Sequence, residues 1–160
     1  MPKIEVKKHP EMTVFGLLYH GKNEAGEIPR LWGTLMEQLD EVKNRDYSVH
    51  AAFGISIMGP DYEQTMVFDY IAGFAVTEAP KVLPQGLAKF TIPDMPYAVI
   101  TCPNLASISK AYDAIYKWVA ESPDYELDLS AGNFNFEYYG EEYSPPESEK
   151  FFIYVPVKKK

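Results

Sequence analysis

The chain has 160 residues, a formal net charge of -8 and an aromatic content of 14%, with twelve tyrosines. A chain of this length forms a single domain whose core needs no disulfide or metal for stability. The acidic charge argues against direct nucleic-acid binding, because phosphate recognition requires clustered Lys and Arg.

The sequence pattern does not predict metal binding, export or membrane insertion. The single cysteine, Cys102, has no partner for an internal disulfide, and His9, His20 and His50 are too scattered for a zinc site. We therefore expect no metal and no cofactor. The sequence shows no secretory leader and no apolar run approaching about twenty residues, so we expect a cytoplasmic protein without a membrane span.

The first half of the chain predicts two strands, a helix and two more strands. Alternating apolar residues predict strands at 4–8 and 12–20. Pro29 occupies the first turn of a helix that is predicted to end near Asn44. The predicted strands after this helix span 49–58 and 66–76. The helix has apolar residues at helical spacing: Ile28, Leu31, Trp32, Leu35, Leu39 and Val42.

The second half repeats this order, with strands at 87–92 and 97–102, a helix at 105–121 and strands at 134–139 and 151–157. A shift of about eighty residues aligns the apolar faces of the two helices. The repeated order predicts a single 1–160 domain with internal repeats at about 1–78 and 86–157. Its predicted fold is α+β, in which duplicated strand-helix-strand-strand units form one antiparallel curved sheet with two helices on one face. The aligned pairs are Ile28 with Ile108, Trp32 with Tyr112, Leu35 with Ile115, and Leu39 with Val119.

Two large aromatic side chains occupy equivalent positions of the two predicted helices. A two-fold arrangement would bring Trp32 and Tyr112 towards the shared midline, where they would form the walls of a cleft. The alternative is that both rings fill the core, as most apolar residues at helical spacing do.

An acidic residue, Glu137, interrupts the aromatic strand at 134–139. If its side chain points inwards, burial of the charge without a partner costs several kcal/mol, on the order of a desolvated ion. A folded domain tolerates that cost for a cationic ligand or for chemistry. The alternative is that Glu137 faces water.

Several segments together resemble the GyrI-like small-molecule-binding domains, which include the effector-binding domains of AraC-type and MerR-type multidrug regulators. The resemblance covers about residue 66 to the C-terminus, whereas the first sixty residues match only in the order of elements. The segments that carry it are 68–76, Gly86-Leu87, 92–99, the helix 108–119 with Tyr112 and Trp118, Phe136-Glu137-Tyr138-Tyr139 and 153–157.

The resemblance implies a pocket between the sheet and the two helices, where a buried glutamate pairs with lipophilic cations. Transferred to this sequence, the glutamate is Glu137. The implied ligand is an amphipathic cation, bound for sensing or sequestration. The aromatic residues expected to contact it are Trp32, Phe53, Tyr70, Tyr112 and Tyr139.

This sequence has no helix-turn-helix before its first strand, so we do not expect it to bind an operator by itself. Stand-alone relatives have been linked to drug sequestration, gyrase protection and hydrolysis of strained cyclopropane-containing toxins. The hydrolase alternative uses the same carboxylate: burial raises the pKa of Glu137, which then acts as general base, while Tyr112 or Tyr139 orients or protonates the leaving centre.

A third alternative assigns the function to the surface charge. An acidic protein with a net charge of -8 could act as an inhibitor that docks on a basic protein partner. The charge permits this role but does not single out a docking surface.

Overall fold

The strands and helices follow the predicted order. The computed structural model describes residues 3–37, 51–77 and 86–160. The helices are α1 (Glu27–Glu37), α2 (Tyr62–Thr65) and α3 (Ile108–Glu121), and a 3₁₀ turn, Leu105–Ser107, precedes α3. The strands are β1 (Ile4–His9), β2 (Met12–Gly21), β3 (Ala52–Met58), β4 (Phe68–Ala75), β5 (Leu87–Ile92), β6 (Met95–Cys102), β7 (Tyr125–Leu127), β8 (Asn133–Tyr139), β9 (Tyr143–Ser144), β10 (Ser148–Glu149) and β11 (Phe151–Lys159).

The differences from the predicted order are confined to short elements. Helix α2 and strands β7, β9 and β10 were not predicted, because segments of two to four residues are too short to show a periodic pattern. The predicted helix end near Asn44 and the predicted strand start at Val49 lie outside the described residues, as do Leu39 and Val42.

Nine strands form one antiparallel sheet with the order β1-β6-β11-β8-β3-β4-β2-β5, and β7 pairs with the end of β11. Each half of the sheet contains a strand-helix-strand-strand unit, β2-α1-β3-β4 and β6-α3-β8-β11. The strand that precedes each unit crosses to the other half, since β1 pairs with β6 and β5 pairs with β2. The predicted fold class is confirmed, and the exact repeat boundaries stay a prediction.

The sheet is strongly curved because two short connections join strands from its opposite ends. Only Pro10 and Glu11 separate β1 from β2, and only Pro93 and Asp94 separate β5 from β6. The sheet therefore folds back on itself and encloses an aromatic core on the face away from α1 and α3, called here the back core. Its largest fully buried side chains include Phe53, Tyr97, Phe136 and Ile55.

Helices α1 and α3 pack on the other face of the sheet. Helix α1 contacts β2 and β4, and α3 contacts β6 and β11. Within the described residues, the predicted apolar faces are buried at Leu35 of α1 and Ile115 of α3, whereas Leu105, ahead of α3, is exposed. None of the described helices has the length and apolar character needed to cross a bilayer. The helices cover the two halves of the sheet and leave its central strands, β3 and β8, accessible between them.

The central strands place Glu137 in the middle of the sheet. In β8, Glu137 lies opposite Gly54 of β3 on one side and Ile153 of β11 on the other. Alternation along β8 directs Asn135, Glu137 and Tyr139 towards the helices and the aromatic residues between them into the back core. A register slip of one residue would place the carboxylate in the back core, so the pleat fixes its direction.

Gly16 tests how closely β2 approaches β4, and Gly33 of α1 serves as a control in an open environment. A Cβ atom on Gly16 would overlap the carbonyl oxygen of Ala72, whereas a Cβ atom on Gly33 of α1 would meet nothing within 4 Å. We expect Gly16→Ala to lower the free energy of unfolding by about 1–3 kcal/mol through overpacking. The control Gly33→Ala should raise it by about 0.5–1 kcal/mol, because alanine favours a helix interior. Urea unfolding of both variants measures this, and equal effects would contradict the close strand approach.

Candidate functional site

A cavity of about 1690 Å³ opens between α1 and α3 above the central strands. Its floor is formed by residues of β3, β4 and β8. Trp32 of α1 and Tyr112 of α3 both line it, as the alignment of the two helices predicted. The polar residues of the floor include Ser56, Asn135 and Glu137. The cavity therefore lies where the two halves of the fold meet.

Glu137 is the buried acidic residue of this cavity, with only 5% of its surface exposed. Three tyrosine hydroxyls donate hydrogen bonds to its carboxylate. Tyr70 and Tyr139 donate to Oε1 at 2.9 and 2.7 Å, and Tyr112 donates to Oε2 at 2.6 Å. The side chain of Glu137 thus points into the cavity, and the alternative in which it faces bulk water does not apply. The group formed by Glu137, Tyr70, Tyr112 and Tyr139 is called here the carboxylate cluster.

Trp32 extends the carboxylate cluster towards α1. Its Nε1–H donates to the hydroxyl oxygen of Tyr70 at 3.0 Å, so that Tyr70 accepts one hydrogen bond while it donates another to Glu137. Hydrogen bonds in such a chain polarise one another. The indole ring also packs edge to face against Tyr139, with ring centroids 5.6 Å apart. Trp32 therefore positions two of the three hydroxyls and contributes an aromatic wall.

Opposing effects act on the pKa of Glu137. Burial raises this pKa, because a carboxylate loses its hydration, while the hydrogen bonds from Tyr112, Tyr139 and Tyr70 lower it; the net direction is upward. Burial and the nearby Glu137 charge raise the pKa values of the three tyrosines. The hydroxyls consequently keep their protons and remain donors to the carboxylate.

Gly54 allows the carboxylate cluster to form. It lies opposite Glu137 in the β3–β8 register. A Cβ atom at this position would overlap the Tyr70 hydroxyl and lie 2.8 Å from Glu137 Oε1. Only a residue without a side chain leaves the space that these oxygens occupy. The sequence analysis missed this role, although an isolated glycine inside a predicted strand indicates a close approach.

The predicted ligand-contacting residues divide into two groups. The structure brings together Glu137, Trp32, Tyr70, Tyr112 and Tyr139 around the cavity. Phe53 lies elsewhere: it is fully buried in the back core, with its ring 5.3 Å from Tyr138. The position of Phe53 corrects the prediction, because β3 turns its odd-numbered side chains away from the helices. Phe53 stabilises the back core and does not line the cavity.

Asn135 and Tyr116 form a second polar group in the cavity that the sequence analysis missed. Asn135 is 5% exposed, and its Nδ2 donates to the Tyr116 hydroxyl at 2.9 Å. The Tyr112 hydroxyl lies 3.3 Å from Asn135 Oδ1. Two sequence signals could have found these residues. Asn135 is two residues from Glu137 on one face of a strand, and Tyr116 is one helical turn beyond Tyr112.

Acidic side chains are the charged groups of the cavity wall. Among the described residues that line it, Glu63, Asp113 and Glu137 are acidic and none is Lys, Arg or His. The ion pairs of the described chain do not include any of these three. The described ranges also contain no group of three or more His, Cys, Asp or Glu side chains arranged to hold a metal ion. The electrostatic potential of the described wall therefore favours cations.

Comparison with known protein families gives a match over nearly the whole chain. Residues 5–157 match the family described as "Cass2: Integron-associated effector binding protein". The match confirms the predicted resemblance to effector-binding domains and extends it to the first half, where the sequence pattern alone was weak.

Individual relatives agree with this match. The transcriptional regulator BrlR of Pseudomonas aeruginosa is 28% identical over 155 residues, which are 95% of this chain and 54% of BrlR, so the chain spans about half of that relative. The crystal structure of the EcmrR C-terminal domain has a TM-score of 0.72 at 17% identity, with 100% of this chain and 99% of that domain covered. The structure of SAV2435 bound to tetraphenylphosphonium has a TM-score of 0.72 at 12% identity, with coverage of 98% and 94%.

The hydrogen bonds to Glu137 can be tested by titration. We expect Tyr70→Phe to raise the pKa of Glu137 further, because the ionised carboxylate loses a donor. NMR titration of the Glu137 carboxyl carbon measures the pKa. Tyr138→Phe is the matched control, since Tyr138 lies on the same strand but faces the back core. Equal titration curves for wild type and Tyr70→Phe would contradict the assigned hydrogen bond.

Proposed function

The chain belongs to the family of integron-associated effector binding proteins, and from this premise we propose that its cavity binds amphipathic cations, with Glu137 as the counter-charge. The observation that carries the proposal is a buried carboxylate held by three hydroxyls, with no ion-pair partner among the described residues. Within the described part of the chain, this charge is stabilised by hydroxyl dipoles and remains available to a positively charged ligand.

A bound cation would relieve the electrostatic cost of burying the Glu137 charge. Hydrogen bonds to a charged acceptor contribute about 1.5–3 kcal/mol each, while removing a carboxylate from water costs several kcal/mol. The upward direction of the Glu137 pKa indicates that the three donors do not fully offset the burial. A positive charge in the cavity favours the ionised form, so cation binding and ionisation of Glu137 support one another.

The cavity wall also suits an amphipathic ligand. Trp32, Tyr112 and Tyr139 present aromatic surface beside the carboxylate. Each favourable contact between a cation and an aromatic face contributes about 0.5–2 kcal/mol. A volume of about 1690 Å³ exceeds the roughly 300–1,000 Å³ typical of sites for drug-sized molecules. These non-directional attractions in a large cavity favour broad selectivity.

The relatives support the same ligand class and a role in sensing or sequestration. SAV2435 has the same fold, and its structure holds tetraphenylphosphonium, a permanent cation with four aromatic rings. BrlR is a transcriptional regulator that matches this chain over part of its length. We therefore assign the chain the part of such systems that recognises the small molecule.

The geometry favours a counter-charge over a general base at Glu137. A carboxylate offers about four lone-pair positions, and three are occupied by hydroxyl protons. A general base must direct a free lone pair at the water that it activates. Only one lone pair remains for the hydrolase alternative, and it would have to point at the water, whereas a counter-charge needs no such alignment.

Substituting Glu137 tests the counter-charge role. We expect Glu137→Gln to weaken binding of tetraphenylphosphonium by about 2–5 kcal/mol, because one partner of a buried charge pair is lost. Binding of the neutral triphenylphosphine oxide should change much less. Calorimetric titration of both compounds measures the affinities.

The control variant for this experiment is Phe53→Leu, which alters the back core and leaves the cavity wall unchanged. Its affinity for tetraphenylphosphonium should equal that of wild type. Equal losses for the cation and the neutral compound in Glu137→Gln would reject the ion-pair role.

The raised pKa of Glu137 predicts the direction of the pH dependence. Tetraphenylphosphonium keeps its charge at every pH, so only the protein titrates. The affinity of the protein for tetraphenylphosphonium should be highest above the raised pKa of Glu137 and should fall as the pH drops through that value. Because this pKa is raised, the decline should begin above the range of an exposed glutamate, whose pKa is about 4.3. Affinity measured across pH in wild type and Glu137→Gln checks this, and a pH-dependent decline that persists in the variant would assign it to another group.

A further inference from the structure

Asn135 lies beside Glu137 on the floor of the cavity, two residues earlier on the same face of β8. Its side chain is almost completely buried, so each of its polar atoms needs a hydrogen-bond partner. Nδ2 has a partner, because it donates to the Tyr116 hydroxyl at 2.9 Å. The carbonyl oxygen, Oδ1, needs a hydrogen-bond donor of its own.

Counting protons among the described residues shows that Oδ1 lacks a donor. The hydroxyl nearest to it belongs to Tyr112, at 3.3 Å. That hydroxyl has a single proton and also lies 2.6 Å from Glu137 Oε2. The shorter distance and the negative charge assign the proton to Glu137. With Glu137 ionised, Asn135 therefore presents a buried acceptor without a proton, on a side chain that lines the cavity.

We propose that Asn135 Oδ1 is a second ligand contact, which accepts a hydrogen bond from the N–H group of a protonated amine bound beside Glu137. This inference rests on the proposed function, because the amine must first occupy the cation site. Among the cations that the cavity can take, it identifies those that carry an N–H donor as the preferred ligands. Quaternary ammonium and phosphonium ions fit the cavity but leave Oδ1 unpaired.

The Tyr112 hydroxyl makes the Asn135 contact depend on the charge of Glu137. When Glu137 is protonated on Oε2, that proton can be donated to the Tyr112 oxygen at 2.6 Å. The Tyr112 proton is then free to turn to Asn135 Oδ1 at 3.3 Å. Protonation of Glu137 thus removes the counter-charge and at the same time gives Asn135 Oδ1 a donor. Ionisation of Glu137 restores the charge and leaves Oδ1 able to accept a hydrogen bond from the ligand.

Two cations that differ only at nitrogen test the inference. Diphenhydramine at neutral pH is a protonated tertiary amine with one N–H, and its N-methylated quaternary salt has the same charge and rings without the donor. In wild type we expect the amine to bind about ten-fold more tightly than the quaternary salt, the usual effect of one hydrogen bond. Asn135→Leu should reduce this ratio of affinities to near one, and Tyr112→Phe, which leaves Oδ1 unpaired, should retain it.

A measurement on the unmodified protein covers the case in which Asn135→Leu does not fold. The ¹⁵N resonance of the Asn135 side-chain amide should move downfield when the amine binds and remain in place when the quaternary salt binds. Equal shifts for the two cations, or an amine-to-quaternary ratio that Asn135→Leu leaves unchanged, would overturn the inference. If the Asn135 amide were rotated so that Nδ2 donated to Tyr112, the two cations would give equal shifts and Asn135→Leu would leave the ratio of affinities unchanged.

The outcomes separate this inference from the proposed function. If both cations bind, and both lose affinity in Glu137→Gln while Asn135→Leu affects them equally, the cation site stands and the Asn135 contact falls. If neither cation binds to wild type, the proposed function falls for this ligand class, and the Asn135 contact falls with it.

Discussion

A carboxylate removed from water and held by three phenol hydroxyls sets the requirements that the surrounding structure meets. The hydroxyls come from β4, β8 and α3, so both halves of the fold must be assembled before Glu137 is fully hydrogen-bonded. Gly54 leaves room for two of the oxygens across the central strand pair. The pleat of β8 directs the charge to the cavity and keeps it out of the back core.

The duplicated architecture explains why this site lies at the midline. Each helix packs on its own half of the sheet, and the central strands carry small or polar residues such as Gly54, Ser56 and Asn135 on the face between the helices. A cavity forms there because these residues of the central strands are small or polar. The two halves differ at the centre of the sheet, since one central strand contributes a glycine and the other contributes the charge.

Two kinds of interaction in the cavity have different consequences for selectivity. In the proposed binding mode, the charge of Glu137 and the surrounding rings would attract any suitably sized aromatic cation, because a charge attracts from every direction and each ring face attracts a cation. A hydrogen bond to Asn135 depends on both distance and angle. Broad affinity from the first kind and discrimination from the second can therefore coexist in one cavity.

The sequence by itself determined the order of elements and, within the described residues, the buried positions of both helices, because helical and strand periodicity are local properties. Glu137 became the candidate residue through the resemblance to effector-binding domains, whereas the strand pattern left the direction of its side chain open. The constant shift between the two helices indicated Trp32 and Tyr112 as a possible facing pair, with burial of both rings in the core as the alternative. Only the tertiary structure decided that Phe53 enters the back core, that Gly54 lies opposite Glu137 and that Asn135 shares a hydroxyl with it. Strand parity and cross-strand neighbours depend on pairing between residues far apart in the chain, and local periodicity does not specify that pairing.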